Sequence, residues 1–565
     1  MSKNNLVNRL FKNKSNITIK KRHYLLFAIL LTLSTKTVAQ EIQIFEIEAK
    51  IDSLIPSRVK DSTPGLVVGI VKDGKLIFNK GYGLGNMAYK IPNDSKMVYN
   101  LGSATKQFLG YAFAMLHSQG KLNLDDSVNM YLDDWPTFDH PVTLRHLLTH
   151  TSGYREAYTM SKLAGRAIDV DRLTQDECLQ VIRKQPNLEF IPGTRYTYNS
   201  TTYVVLSEIL KKVTDTPADK WVEKNIFKPL EMNSTQIESY VGELITNASE
   251  SYSFDREKGY TNEKSNRAIF GAADIYSSVE DLAKWFTIFR SDLLGGKETQ
   301  NVFLKPFILT DGTNSEYALG IRNEMHNGLK VYHHTGGHEN FISQLRYYPD
   351  SDLGIIVLTN FGRNGWLSAS RVAELFLDKE MTVAPQKELK EISLKIDKLK
   401  QLEGIYVAKT LNRILNLSIV DESLTLNGRN RLVPISGNNF GIKGWNGKIE
   451  IEHSSQSTFL HLIDRKKETY YRVKKWEENI EQLKTYEGKY WSDELEIVYN
   501  LYIENGELKV KNRWFGVMKL QPISKDFFES NKGYYIKFTR NQQEEISGLN
   551  INSERTLNVY FNRIK

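Results

Sequence analysis

The sequence predicts an α+β domain followed by two all-β modules, and three observations carry that expectation. Strand-like runs stand at both ends of residues 44–380 with helical patterns between them, which suggests an antiparallel sheet covered by helices. From Met381 to Lys398 the composition turns to Lys, Glu and Pro385, the mark of a linker over 381–398. Beyond it, Leu399-Lys400-Gln401-Leu402-Glu403-Gly404-Ile405-Tyr406 recurs as Leu483-Lys484-Thr485-Tyr486-Glu487-Gly488-Lys489-Tyr490, an offset of 84 residues. The segments also end alike, in Arg472-Val473-Lys474 and Arg563-Ile564-Lys565. Two copies of one small β-module are therefore expected, over 399–476 and 480–565, each closing into an antiparallel barrel.

Composition bounds the reading. A chain of 565 residues with 40% hydrophobic and 25% charged residues is ordinary globular material for about three domains. Its net charge of +8 would invite a nucleic-acid partner if it were spread over the fold. It is not. Residues 1–39 hold eight Lys or Arg and no Asp or Glu, and the remainder balances at 67 basic against 67 acidic residues. No nucleic-acid partner is expected. The same leader has an apolar stretch from Tyr24 to about Leu33 and small residues before Gln40, the pattern of a secretory signal peptide. Cleavage near Ala39/Gln40 is the expectation, with retention as an uncleaved anchor the alternative; after processing no membrane span is expected. No cysteine lies near the leader to carry a lipid, and the single cysteine, Cys178, falls in a helical pattern that predicts core filling. An exported protein of a bacterial periplasm or cell envelope, without disulfides, fits these features.

The elements follow in order. A short amphipathic helix is expected around Ile42 to Val59. The runs 66–72 and 75–80 flank Asp73-Gly74, a strong hairpin signal. Phe108, Leu109, Ala112, Phe113 and Leu116 share one helical face that Gly120 ends. Thr174 with Glu177 reads as a capping box, Tyr203 to Val213 as a helix, and Ser278 as the cap of another. Strands at Leu329 to His333, Phe341 to Tyr348 and Gly354 to Thr359 precede a last helix from about Leu367 to Leu377. With the hairpin, that makes five strands.

The chemistry gathers at Gly102-Ser103-Ala104-Thr105-Lys106, where a helix begins. Residues three apart share a helix face, so Lys106 stands beside Ser103. A serine hydroxyl is a poor nucleophile until a base takes its proton, and a desolvated amine can serve because burial favours its neutral form. The spacing alone is weak evidence, since Ser57 and Lys60 repeat it. Four further pieces occur with it: the Asp-Gly hairpin, Arg145-His146-Leu147-Leu148-Thr149-His150-Thr151-Ser152-Gly153, Pro192-Gly193-Thr194 before Tyr198, and His334-Thr335-Gly336-Gly337. Together they make residues 44–380 resemble the serine hydrolases of the class C β-lactamase and D-Ala-D-Ala carboxypeptidase family, penicillin-binding-protein-like enzymes with a β-lactamase/transpeptidase-like fold. Two lipocalin-like barrels behind such a domain resemble the arrangement in D-aminopeptidases of that family.

The resemblance implies roles. Tyr198 would share proton transfer with Lys106; a free tyrosine is mostly protonated at neutral pH, and its phenol can serve as a base if neighbouring cations stabilise the anion. The backbone N–H groups of Ser103 and Gly337 would form the oxyanion hole. Thr335, Gly336 and Ser200 would contact substrate, and His334, which opens the third motif, would count with Ser103, Lys106 and Tyr198 among the catalytic residues. One departure stands out: the family usually reads Tyr-x-Asn, whereas this chain reads Tyr198-Asn199-Ser200, which loses the amide's paired donor and acceptor. Where many relatives carry lysine, His334 supplies a largely neutral imidazole, so the pocket is expected to depend less on a substrate carboxylate. His146 and His150, or His334 and His338, lack the glutamate of a His-Glu-x-x-His site, and neither metal nor cofactor is assigned. The implied activity is hydrolysis, through an acyl-enzyme, of D-amino-acid peptides or amides or of small esters. The alternatives are a true β-lactamase and a catalytically impaired member that binds peptidoglycan fragments.

Overall fold

The computed structural model describes residues 46–565 except 168–169, 383–389, 444–446, 455–456, 464–466 and 477–478. The leader expected over 1–39 lies outside these residues, as does much of the expected linker. Within them, no helix is long and apolar enough to cross a membrane.

A sheet of antiparallel strands organises the first domain. Strands β1 (Leu66–Lys72) and β2 (Lys75–Tyr82) form the hairpin expected at Asp73-Gly74, whose φ angles of 50° and 73° make a turn that glycine favours. Late in the domain come β3 (Arg322–His326), β4 (Leu329–His338), β5 (Phe341–Tyr348) and β6 (Leu353–Thr359). The spatial order is β3-β4-β5-β6-β1-β2. The sheet thus has six strands, not five. The extra one, β3, turns into β4 through Asn327-Gly328, both at positive φ, and its polar run Arg-Asn-Glu-Met-His carries no apolar alternation. An edge strand without a buried face leaves periodicity silent.

Central strands are covered on both faces, which is why β1 and β6 read as unbroken apolar runs. Val67 and Val71 pack into the core of the helical lobe, while Leu66, Val68 and Ile70 pack against the opposite layer. That second layer contains helical residues 46–54 and a helix at Ala369–Leu377. The lobe centres on α1 (Lys106–Ser118), nearly all of it buried, with α2 (Ala157–Leu163) and α3 (Thr201–Thr214) further along the chain. Cys178 fills the core there, its thiol pushed far up by burial. The Thr174–Glu177 capping box and the Ser278 cap both form.

Two closed eight-stranded barrels follow, running from Gly404–Ala408 to Lys467–Val473 and from Gly488–Ser492 to Val559–Ile564. The repeated residues form the latch that closes each. Tyr406 Oη donates to the Leu402 carbonyl (2.9 Å), as Tyr490 Oη does to that of Tyr486 (2.8 Å). The carboxylate of Glu403 accepts from the Ile419 N–H (2.7 Å), as that of Glu487 does from Ile503 (2.8 Å). Arg472 and Arg563, from the last strands, donate to the carbonyls of Glu403 and Glu487 and cross Gly404 and Gly488, where a Cβ would meet the guanidinium. Short helices Ile396–Lys400 and Ile480–Lys484 place Leu399 and Leu483 in the barrel cores. The end of the expected linker is therefore part of the first barrel.

Candidate active site

Ser103 sits in a single tight helical turn, Gly102–Thr105, that runs directly into α1. Asn100 Oδ1 accepts from the Gly102 N–H (2.8 Å), and the Leu101 N–H donates to the Ile275 carbonyl (2.8 Å), so the turn is pinned from both sides. Gly102 has φ +51°, and a Cβ there would come within 2.6 Å of the Gly337 nitrogen. Only glycine lets the serine turn and strand β4 approach so closely.

Lys106 is fully buried. Its Nζ donates to the Ala272 carbonyl (2.8 Å) and lies 3.4 Å from both Ser103 Oγ and Ser200 Oγ. Burial lowers its pKa to about 7, and the guanidinium of Arg555 pushes in the same direction, against Glu156 and Asp274, which raise it. Asp274 is itself buried, its carboxyl pushed up to about 7 by desolvation. Glu156 caps α2, accepting from the Thr159 N–H (2.8 Å).

Tyr198 lies with its ring centroid 5.2 Å from Lys106 Nζ. Its hydroxyl is buried without a hydrogen-bond partner. Burial drives the phenol well above its ordinary pKa, and the opposing influences of Ser103, Arg555 and Arg322 are smaller. Burial thus favours the neutral phenol, and the neighbouring cations do not offset it. His150 stacks obliquely on Tyr198 with centroids 4.3 Å apart and on Tyr317 at 4.6 Å; its Nδ1 accepts from the Asn199 N–H (3.2 Å). His146 lies elsewhere, its Nδ1 accepting from the Thr143 N–H (3.2 Å) in a helix cap, so the two histidines serve separate local structures.

His334 is buried and held at both nitrogens. Its Nδ1 faces the Thr335 carbonyl (2.9 Å) and so carries the proton, which leaves Nε2 to accept from Tyr317 Oη (2.9 Å). Desolvation and the nearby Lys106 and Arg322 keep it neutral. Along β4, Thr335 and Gly337 are exposed to the cleft, while Gly336 is buried so tightly that a Cβ would meet the Leu101 carbonyl at 1.8 Å. Nothing lies within 4 Å of where a Cβ on Gly337 would stand. Asn199 turns away, donating to the carbonyls of Tyr154 (2.6 Å) and Arg155 (3.1 Å), and Ser200 faces Lys106 in its place. All eight residues singled out in the sequence meet here.

What sequence reasoning missed is the far wall. The cleft, about 1550 Å³, is lined by the first barrel through Lys409, Asn412, Arg413 and Glu468, and by the second through Glu554 and Arg555. The Arg555 guanidinium lies 5.3 Å from the Tyr198 ring centroid. Arg322, on β3, stands 5.7 Å from the Tyr196 and Tyr317 rings. His334 is neutral as expected, and fixed cations enter the cleft from β3 and from the barrel. Their only sequence signal was a lone arginine in each case, which spacing cannot place.

Residues 51–374 match the β-lactamase family model. The chain is 31% identical over 262 residues to PbpX of Bacillus subtilis strain 168, named as a penicillin-binding protein, covering 44% of this chain and 60% of that one. It is 26% identical over 324 residues to a D-aminopeptidase of Cereibacter sphaeroides, covering 56% and 60%. These matches span about 60% of the length of each curated relative. Among solved structures, the octameric penicillin-binding protein homologue from Pyrococcus abyssi superposes with a TM-score of 0.53 at 23% identity, over 76% of this chain and 99% of that one. A D-amino acid amidase from Ochrobactrum anthropi SV3 does so at 0.50 and 18%, over 59% and 99%. At such identities the superpositions speak for the fold alone. With the family model covering more than half of its length, the chain belongs to the β-lactamase family of serine hydrolases.

Proposed function

We propose that the protein is an exported acyl-enzyme hydrolase that cleaves amide or peptide bonds of D-amino acids, or small esters. The observation that carries this reading is the buried Lys106 amine, 3.4 Å from Ser103 Oγ and with its pKa brought to about 7. In its neutral form it takes the Ser103 proton as Oγ bonds to the substrate carbonyl carbon. Negative charge then gathers on the carbonyl oxygen, between the Ser103 and Gly337 N–H groups that form the proposed oxyanion hole. Collapse of the tetrahedral intermediate breaks the bond to the leaving amine or alcohol, which receives a proton. The neutral Tyr198 phenol, beside Ser103, is placed to donate it and to be reprotonated from Lys106. Water then attacks the acyl-enzyme, Lys106 removes its proton, and the acid leaves as Ser103 regains its hydrogen. His334 and Tyr317 hold β4 in position rather than move protons, because both imidazole nitrogens are engaged.

The D-aminopeptidase relative supports a D-amino-acid substrate, and the leader pattern supports export. The test combines fluorophosphonate labelling with kcat/KM for p-nitrophenyl esters, D-aminoacyl anilides and a chromogenic cephalosporin. Labelling at Ser103, and its loss with turnover in Ser103→Ala, is the expected result. Turnover unchanged in Ser103→Ala would overturn the mechanism, and a clear preference for the cephalosporin would make the protein a β-lactamase.

A further inference from the structure

The second barrel does not hang free of the catalytic domain. Met160 and Leu163 of α2 belong to its hydrophobic core, and the Tyr499 hydroxyl and Asn512 amide donate to the Leu163 carbonyl (2.8 and 3.1 Å). Beside this seam Arg155, 3% exposed, is buried between two carboxylates, Glu189 at 2.9 Å and Glu494 at 2.6 Å. Its guanidinium also donates to the carbonyls of Leu557 and Asn558 (3.3 Å to the latter), and Glu189 accepts from the Leu557 N–H (3.1 Å). Residues 557–558 are thereby clamped to the catalytic domain. Two residues before Leu557, the same loop delivers Arg555 into the cleft.

Charges around Arg555 are unbalanced. Among the described residues, the acids that the barrels bring to the cleft are Glu468 and Glu554, and Arg413 faces both, at 3.3 and 4.0 Å. Arg267 on the opposite wall pairs with Glu339. Arg555 is exposed and, among the described residues, has no carboxylate within ion-pair distance; its guanidinium rests over the Tyr198 ring, its fork free for a ligand. Arg322 adds a second cation nearby, bonded to the Tyr196 hydroxyl (3.3 Å). A planar fork at the edge of the reacting site suits a carboxylate, which it can hold by two parallel hydrogen bonds.

We propose that Arg555 is a specificity-determining residue that the second barrel supplies to the active site, where it binds a carboxylate of the substrate on the side of the cleft bounded by Tyr198. This deepens the hydrolase reading and rests on it. The carboxylate can come from either of two places: the free C-terminus of a peptide beyond the scissile bond, or an acidic side chain on the acyl residue. Arg155 is then a positioning residue, holding the loop rather than touching substrate.

The experiment uses the full chain and two matched pairs: D-alanyl-D-alanine against D-alanyl-D-alaninamide, and D-glutamyl against D-glutaminyl p-nitroanilide. The ratio of kcat/KM within each pair cancels any general loss. We expect at least about a tenfold preference for the carboxylate in one pair, the return of one charge-assisted bidentate contact. The pair that shows it names the source. Arg555→Ala should collapse that ratio toward one, Arg555→Lys should leave an intermediate value, and Arg555→Glu should invert it. No preference in either pair for the native protein, or a preference that survives in Arg555→Ala and Arg555→Glu, overturns the proposal. So does the absence of any turnover while Ser103 still takes the fluorophosphonate. Loss of labelling itself would mean instead that the hydrolase reading has failed.

Discussion

The two barrels close with the same latch and differ in what they lean on. In each, a tyrosine bonds back to the residue four before it, a glutamate accepts from a backbone N–H of the second strand, and an arginine from the last strand crosses a glycine. Yet the second barrel shares its core with α2 and is tied to the lobe by a buried ion cluster, whereas the first packs on the second through Val407, Ile523 and Phe527. Its approach to the cleft is by surface side chains, such as Arg413 with 48% of its side chain exposed. The repeat thus conserves how a barrel is closed and leaves free what its loops do. Both copies line the cleft, and the second is the one anchored in the catalytic lobe through a buried ion cluster.

The largest test of that contrast is to cut each barrel's polar tie. Arg155→Ala leaves Glu189 and Glu494 buried without their counter-charge, and breaking such a pair costs about 3–5 kcal/mol. Arg413→Ala removes exposed ion pairs worth about 1 kcal/mol or less. Thermal melting should therefore show a large drop in midpoint for the first variant and a small one for the second. Comparable shifts would mean that both barrels are held by similar means.

A smaller effect sharpens the same contrast through catalysis. Lys106 must be neutral to accept a proton, so kcat/KM should rise with pH through an apparent pKa near 7 and fall away on the acid side. Arg555 helps hold that pKa down, while Glu156 and Asp274 oppose it. Arg555→Ala should thus raise the Lys106 pKa and move the acid limb to higher pH; Arg413→Ala should leave the limb in place. A pH profile with a neutral ester, measured for all three proteins, decides it, and an unmoved limb in Arg555→Ala would put the second barrel electrostatically outside the site.

The asymmetry between barrels also marks where the sequence was legible. Asp73-Gly74 announced its hairpin because a two-residue turn needs positive φ at both positions, a purely local demand. The latch repeated visibly because the same few contacts close both barrels, and Ser103 with Lys106 needed only helical spacing to meet. Strand β3 escaped notice because its polar run buries no face, although Asn327-Gly328 marked the turn beyond it. Arg555 was illegible for a deeper reason. Its place depends on Arg155 and Glu189, hundreds of residues upstream, gripping the backbone of its own loop. The burial that raises the Tyr198 pKa was equally hidden from the sequence.

The smallest effect tests the likeness of the barrels rather than their difference. Tyr406 and Tyr490 are both fully buried, and each hydroxyl gives one hydrogen bond to a carbonyl four residues back. Tyr406→Phe and Tyr490→Phe each delete that bond and leave the ring's packing in place, so each should cost about 0.5–1.5 kcal/mol. The latches share no hydrogen-bond partner, so the double variant should lose the sum of the two. Denaturant melts followed by tryptophan fluorescence and by hydrogen exchange at the two first strands would read each barrel separately. Matching losses would show that closure is local to each module. A markedly larger loss for Tyr490→Phe would mean that docking on α2 loads the second latch, and the two barrels would then differ in closure as well as in what they touch.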